Sequence, residues 1–573
     1  MTRRDGAILA SLILVLVVLG GAIALPQARP GSPEARVEPT PEATLPPVTY
    51  REGVAGSPVS ITPITARTRA DRALVGLVFS GLVRPDPAGG YEPDLAESWT
   101  SNAEGTTWTV TIRPDATWQD GAPVTAADVV YTVDALKNPD AAGGAAASWA
   151  EVTATAMGPR TVRFTLATPL GGFLAALCQP LMPAHLLADV PFADLEESDF
   201  ARLPVGTGPF ALVELDGIRA VLEPAAPVRA PAEPTPGPTL DSLATPHPTP
   251  TPGRPVPYLE RIEMSFYDTE EALAAALRNG EIDGAAGFTP AVAGDLAATD
   301  GTERLRYPTT TLSAVMLNLR PSHPELRDAG VRRALLASID RDALVTGLLA
   351  GDAVRADALV PPGSWAFDAT AAPPLAFDRK KASKALTDAG WTKSGGKWVA
   401  PKTKGAYKLE VLTVPATANP RLASVAAYVR DAWVKLGFET SLVELPAADL
   451  ATRLRAGEYA AAVVDVSSGL EPDLYPLLAS SQVRASGTNL SGYQNPALDK
   501  LLEAARAPGT PEVRTAAWKA PLAAVDERMP LLPIAWADEV FLTRGLEGPT
   551  PRLIADPGDR FADVLAWRLA ADR

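Results

Sequence analysis

The chain has 573 residues, enough for about three to five folding units or two large lobes. With 46% hydrophobic and 21% charged residues, a core of ordinary size is available and wholesale disorder is excluded. Basic residues number 52 against 67 acidic ones, a net charge of −15, and this balance argues against nucleic acid as a partner. One cysteine, Cys178, and three histidines, His185, His247 and His323, exclude a disulfide framework within the chain and leave too few ligands for a Cys/His zinc cluster.

Ala7 to Leu25 is an apolar run without charge, preceded by Arg3 and Arg4. A positive flank followed by about 20 apolar residues is an export signal. Ala22-Ile23-Ala24 offers small residues at the spacing a signal peptidase accepts. Residues 1–25 are therefore expected to be a cleaved signal peptide or a retained membrane anchor. Residues 26–47, rich in Pro, Ala, Glu and Thr and without an aromatic residue, read as an extended linker.

Strand and helix patterns then alternate. Trp108, Val110 and Ile112 alternate with threonines, the mark of a half-buried strand, and Val162, Phe164 and Leu166 repeat it. Between them Thr125-Ala126-Ala127-Asp128 is a capping box that opens a helix. Cys178, inside the apolar run Leu174–Leu181, reads as a small buried hydrophobe, and His185, after Pro183-Ala184, as the start of a helix. Gly206-Thr207-Gly208-Pro209 lacks a third glycine and leads toward a strand, so a tight turn is expected and not a phosphate cradle. Residues 224–257 hold Pro-Thr-Pro repeats and no aromatic side chain until the chain resumes; they are expected to be a disordered surface insertion, with a wall- or partner-binding tract as the other reading. Ile262, Met264 and Phe266 form another alternating strand. Glu270–Asn279 is a helix stopped by Gly280. Leu422, Val425, Val429, Trp433 and Leu436 mark a helix stopped by Gly437, and Asn495-Pro496 opens one that carries Leu498, Leu501 and Leu502 inward. The chain is mixed α/β.

No G-x-S-x-G, H-E-x-x-H, P-loop or G-x-G-x-x-G motif is present, and no nucleophile–base pair is evident. Neither an enzyme, a metal site nor a cofactor is expected.

A series of short motifs carries more information. Val78-Phe79-Ser80-Gly81-Leu82-Val83 precedes Pro93-Asp94-Leu95-Ala96-Glu97-Ser98-Trp99, which precedes Trp118-Gln119-Asp120-Gly121-Ala122-Pro123 and the helix through Tyr131. Gly206-Thr207-Gly208-Pro209-Phe210, Gly280-Glu281-Ile282-Asp283, Leu317-Asn318, Val331-Arg332-Arg333-Ala334-Leu335, Ser338-Ile339-Asp340-Arg341 and Ser491-Gly492-Tyr493-Gln494-Asn495-Pro496 follow in order. This series resembles the extracellular solute-binding proteins of ABC transporters, in the family (family 5) that includes oligopeptide-, dipeptide- and nickel-binding proteins. The resemblance spans about residues 50–570.

The resemblance implies an α/β, two-lobed periplasmic-binding-protein-like fold of the large, class II type, with an extra subdomain in the first lobe. Lobe I would comprise 48–305, with the subdomain near 90–195 and the insertion 224–257 inside it; lobe II would be 306–534; and 535–573 would return to lobe I. It also implies a monomer that encloses a peptide or other small organic solute between its lobes by hinge closure, outside the cytoplasm. The partners would be ABC permease subunits, with the membrane as a further one if the N-terminal segment stays uncleaved. A solute-sensing or scaffold protein on the same fold is the alternative. In peptide-binding relatives a loop bears a Trp and an Asp that meets the peptide's amino group. Aligned on Glu471-Pro472, Val466 takes the Trp position, Gly469 the Asp position, and Val463 the place of an upstream basic residue. Val466, Ser467, Ser468 and Gly469 are thus expected to line the cleft, with Asn419 a second candidate. Trp118, Tyr131, Ser80 and Asn318 are further candidates, each of which also fits a core or turn position; Asp465 fits either a substitute for the missing acid or a structural role. If 224–257 is an external loop, deleting it leaves the melting temperature almost unchanged; a large loss in a thermal melt refutes that reading.

Overall fold

The computed structural model describes residues 47–86, 90–142, 149–225, 257–484 and 487–570. The expected signal or anchor (1–25), linker residues 26–46 and residues 226–256 of the insertion lie outside the described residues.

Fifteen strands form the two main sheets. They are β1 (Thr49–Ala55), β2 (Ala96–Ser101), β3 (Thr107–Ile112), β4 (Val152–Gly158), β5 (Thr161–Leu166), β6 (Phe210–Leu215), β7 (Arg219–Pro224), β8 (Arg261–Tyr267), β9 (Gly284–Ala286), β10 (Thr302–Leu317), β11 (Ala353–Arg355), β12 (Lys408–Thr413), β13 (Glu439–Glu444), β14 (Ala461–Ser467) and β15 (Leu532–Arg544). The large sheet runs β13-β12-β14-β10-β15-β9-β1-β8-β7-β6, with β11 paired to β15, and β2-β3-β5-β4 is a separate antiparallel sheet. The alternation expected of β3, β5 and β8 holds: in each, every second side chain is buried.

The helices begin and end where local chemistry demands. Four matter below: α1 (Arg69–Val78), α2 (Ala126–Lys137), α3 (Glu270–Asn279) and α4 (Pro420–Leu436). Thr68 and Asp71 cap α1 reciprocally. The Asp128 carboxylate accepts from Thr125 N (2.7 Å) at the start of α2. Gly280 and Gly437 stop α3 and α4 in the left-handed region, at φ 73° and 116°. Asn495 accepts from Ala497 N and Leu498 N to open the helix Pro496–Ala505, which buries Leu498 and Leu502 and leaves Leu501 half-buried. His185 sits in the one-turn helix Ala184–Leu187 and pairs with Asp120 at 2.8 Å.

The turn at 206–209 is a packing device. A Cβ on Gly206 would stand 1.9 Å from the Val78 carbonyl oxygen, and one on Gly208 2.3 Å from that of Leu77. The turn lies against the end of α1, and Gln119 stitches it there by accepting from Gly206 N (2.8 Å) and donating to Phe210 O (2.9 Å).

Two large hydrophobic cores result. One gathers residues from Tyr50 to Leu222, β8, Phe541 and the C-terminal Phe561, Val564 and Trp567. The other runs from Leu312 to Trp536. The long strands β10 and β15 belong to both: Tyr307 and Phe541 lie in the first core, Leu312–Leu317 and Leu532–Trp536 in the second. The two strands pair antiparallel from Thr302↔Arg544 to Pro308↔Asp538, lose register, and resume at Leu312↔Trp536. Proline has no N–H for the ladder, and the break falls beside it. Both strands run unbroken through the boundaries the resemblance implies at 305/306 and 534/535.

The insertion joins neighbours: β7 and β8 pair antiparallel, with Leu222 opposite Ile262. Pro224 pairs with Phe210 and Pro257 is buried, so both expected bounds belong to the folded body and the stretch to remove in a deletion is 226–256.

The C-terminal residues close the first core. Arg560 in the 3-10 segment Pro557–Ala566 donates to Glu52 of β1, and Tyr50 donates to the other Glu52 oxygen. Glu52 is 0% and Arg560 3% exposed, while the guanidinium lies 4.1 Å from the Phe561 ring centre and 4.8 Å from that of Phe541. Removing one partner strands a charge in the core, at a cost of about 3–5 kcal/mol. We expect Arg560→Met to lose about that much in urea unfolding and Glu52→Gln/Arg560→Met to recover part of it; equal losses would show that packing on the two phenylalanines is what matters.

Candidate functional site

Between the two cores lies a cavity of about 640 Å³. The first core contributes the end of α1 and the turn after it (Phe79, Ser80, Gly81), with Tyr91, Asp94 and Cys178. Residues Ala555–Leu565 form another wall, and Gly469, Leu470 and Glu471 reach in from the second core's side. A smaller space of about 270 Å³ is lined by Arg69, Thr309, Thr311, Asn419, Arg421 and Asp538.

The cations around these spaces are engaged. Arg69 pairs with Glu539, Arg72 with Asp556 (3.1 Å), Arg421 with Asp465 (2.6 Å) and Arg514 with Glu471. Asp559 accepts from Ala555 N and Asp556 N (both 2.9 Å), and burial with the nearby Asp556 charge pushes its carboxyl up to about 6. Burial also pushes the Cys178 thiol up to about 12, reinforced by Asp559 and Asp94. The sequence reading placed Cys178 inside the core; it is half-buried and borders the cavity, as a protonated thiol and not a nucleophile.

The loop singled out by the resemblance grows out of β14. Ser467 Oγ lies 3.0 Å from Thr310 Oγ1, and Ser468 N donates to Thr310 O (3.2 Å), which anchors the loop to the irregular stretch of β10. Gly469 follows at φ 67°. Val466, Ser467, Ser468 and Gly469 line a third cavity, of about 570 Å³, and Gly469 borders the inter-core cavity as well.

Asn419 caps α4 by accepting from Leu422 N (3.0 Å) and donates its amide to Asp465 (3.1 Å). Asp465 also accepts from Ser313 Oγ (2.8 Å) and Arg421. Of the two readings for Asp465, its geometry matches the structural one, since three donors from its own side of the fold already hold the carboxylate.

The remaining candidates separate. Ser80 borders the inter-core cavity. Trp118 is 2% exposed, in the first core, 6.0 Å from the His185 ring. Tyr131 donates to Leu187 O (3.1 Å) and packs on Phe192. Asn318 is fully buried and donates to Gly457 O and Tyr459 O (both 2.9 Å). None of these three lines the spaces described; they occupy the core and turn positions that were their other reading.

Several residues that join the two sides carried no signal of their own. Tyr91 donates to Glu471 (3.2 Å) across 380 positions of sequence, and Gly171 N donates to Arg506 O (2.8 Å). Arg421 did carry one: a cation in the first turn of a helix opposes the helix dipole, so it must be held by something else.

Two cores joined by crossing strands, with a cavity walled by both, define a two-lobed binding protein. Residues 90–486 match the model of the bacterial extracellular solute-binding proteins, family 5 (middle). The chain belongs to that family. It is 27% identical over 463 residues to the oligopeptide-binding protein AppA of Bacillus subtilis, covering 79% of this chain and 80% of that one. It is 26% identical over 483 residues to the probable D,D-dipeptide-binding periplasmic protein DdpA of Escherichia coli, covering 82% and 84%. Among solved structures, NikZ from Campylobacter jejuni in complex with Ni(L-His) superposes with a TM-score of 0.69 at 25% identity, covering 91% of this chain and 100% of that one. B. subtilis AppA in complex with a nonapeptide gives 0.69 at 22% identity, covering 92% and 100%. The fold expected from the sequence is the fold found.

Asp538, on β15 beside the register break, supplies a pH test. Burial, then repulsion from Asp352, pushes its carboxyl up to about 6 against the pull of Arg306. The folded state thus holds this proton more tightly than the unfolded chain, and stability contributed by the protonated form is lost as pH rises from roughly 4 to 6. Asp538→Asn removes that loss. We expect it to raise the melting temperature by about 2 °C at pH 7.5 and to leave it unchanged at pH 4 in differential scanning fluorimetry.

Proposed function

We propose that the protein is the extracytoplasmic solute-binding component of an ABC importer. It takes a peptide or other small organic solute into the cavity between its two lobes and presents the closed form to permease subunits. The observation that carries this reading is the cavity of about 640 Å³ whose walls come from both cores and which is bridged by Tyr91–Glu471, with Gly171–Arg506 a further hydrogen bond between the two sides. Family membership and relatives named for oligopeptides and dipeptides support it.

The solute works by differential affinity. Contacts to both walls exist only when the lobes are together, so binding shifts the population toward closure. The break in β10–β15 pairing between Pro308 and Leu312 is where rotation disrupts the fewest ladder bonds. Recognition falls to the backbone and hydroxyls of Ser467, Ser468 and Ser80 and to Gly469, because the Asp position of the loop is glycine and Asp465 is held by Arg421. Trp118, Tyr131 and Asn318 serve the scaffold. The protein acts as a monomer, delivered by its N-terminal segment, which is cleaved or kept as an anchor. Among the described residues no helix is long and apolar enough to cross a membrane.

Native mass spectrometry and a thermal-shift screen against peptide, sugar and metal-chelate libraries test the reading. A co-purifying small molecule or a stabilising peptide is expected; silence across all three libraries overturns transport. For any solute found, Tyr91→Phe removes one cross-lobe hydrogen bond, about 1 kcal/mol, and weakens binding about fivefold in calorimetry.

A further inference from the structure

We infer that the cavity under the 466–469 loop is a separate subsite for an apolar group of the solute; this rests on the solute-binding reading above. The space of about 570 Å³ is lined only by residues between Leu312 and Trp536, so it belongs to the second lobe and is distinct from the inter-lobe cavity, which it meets at Gly469.

Strand alternation builds its floor. In the β10–β14–β15 ladder, Leu312 stands opposite both Val466 and Trp536, and Val464 opposite Ala314. Leu312, Met316, Val464, Val466 and Trp536 therefore share one face, while Ser313 and Asp465 alternate to the other, where Arg421 joins them. Leu477 and Leu490 form the sides. Leu312, Met316 and Trp536 are buried, but Val464, Val466, Leu477 and Leu490 pack on the core and remain half-buried. Interiors are close-packed, so a space of this size walled by half-covered aliphatic side chains is a receptor for an apolar guest.

The polar groups at its rim point the same way. Thr488 donates to Pro476 O (2.5 Å), Ser467 is engaged with Thr310, Asp465 is held by Arg421 and Asn419, and Asp473 pairs with Arg506 at 3.2 Å. With these side chains already engaged, a polar guest would lose its water for fewer hydrogen bonds than water offers, whereas an apolar guest gives up none. Gly469, lacking a side chain, leaves the junction of the two cavities clear. The occupant is thus an aliphatic or aromatic side chain, or a short alkyl chain, on a solute whose polar part lies between the lobes.

N-phenyl-1-naphthylamine, which fluoresces when it enters apolar surroundings, probes the subsite on the full chain. We expect a saturable, blue-shifted emission. Val466→Trp and Leu477→Trp, which fill the cavity from the floor and from the side, should each weaken it about tenfold, while Ile218→Trp, at a site 72% exposed, should not. Circular dichroism and a thermal melt establish that each variant folds. Tripeptides differing only in Leu against Ser form the second arm; wild type should prefer Leu, and Val466→Trp should erase the preference. No saturable emission, or emission unaffected by both filling variants, overturns the subsite even if peptides bind. A filling-sensitive emission with no solute bound between the lobes sustains the subsite and counts against the transport reading instead.

Discussion

Everything in this molecule depends on two strands being shared. β10 and β15 each run through both hydrophobic cores, pairing with one another on either side of the break at Pro308–Leu312. The two bodies are thereby tied by main-chain hydrogen bonds and not only by side-chain packing. Where the ladder is continuous the connection is stiff; where proline interrupts it, few bonds resist bending. The loop after β14 is fastened to this stretch through Thr310, so the part of the second lobe nearest the cavity is set by the same irregularity.

Electrostatics around the cavity follow a second constraint. An acidic protein with many arginines at its inner surfaces would repel or trap ions unless the charges cancelled locally, and here they do: each of Arg69, Arg72, Arg421 and Arg514 faces its own carboxylate. Such pairs contribute modestly to stability. Their larger effect is to leave these four guanidinium groups paired around the cavities; in the solute-binding reading proposed above, shape, hydroxyls, main-chain groups and apolar surface then carry selectivity. The apolar space under the loop fits that division of labour.

The legible parts of the sequence were those governed by neighbours in the chain. Alternation in β3, β5 and β8, the caps at Thr125 and Asn495, and the stops at Gly280 and Gly437 are decided within a few residues, and they appear where expected. The order of short motifs carried the fold, because several of them mark turns or caps the architecture needs, such as the turn at 206–209 and the cap at Asn495. Site residues were harder. Trp118 looked able to face a cleft because Gln119-Asp120-Gly121 follows it, yet its ring turns inward against His185, a contact no local pattern announces. Asn318 is spent on the carbonyls of Gly457 and Tyr459, again far along the chain. Tyr91 and Glu471 meet across the inter-core cavity from positions 380 residues apart. Long-range pairing, not composition, separates wall from core here.

The Glu52–Arg560 pair has a temporal side. Its halves are 508 positions apart, so during vectorial synthesis β1 emerges long before the guanidinium that will neutralise its carboxylate. Until the last stretch of polypeptide arrives, the first core would have to close around a lone anion, which is strongly unfavourable. The first core therefore cannot close at full stability around β1 alone: it needs the segment that carries Arg560.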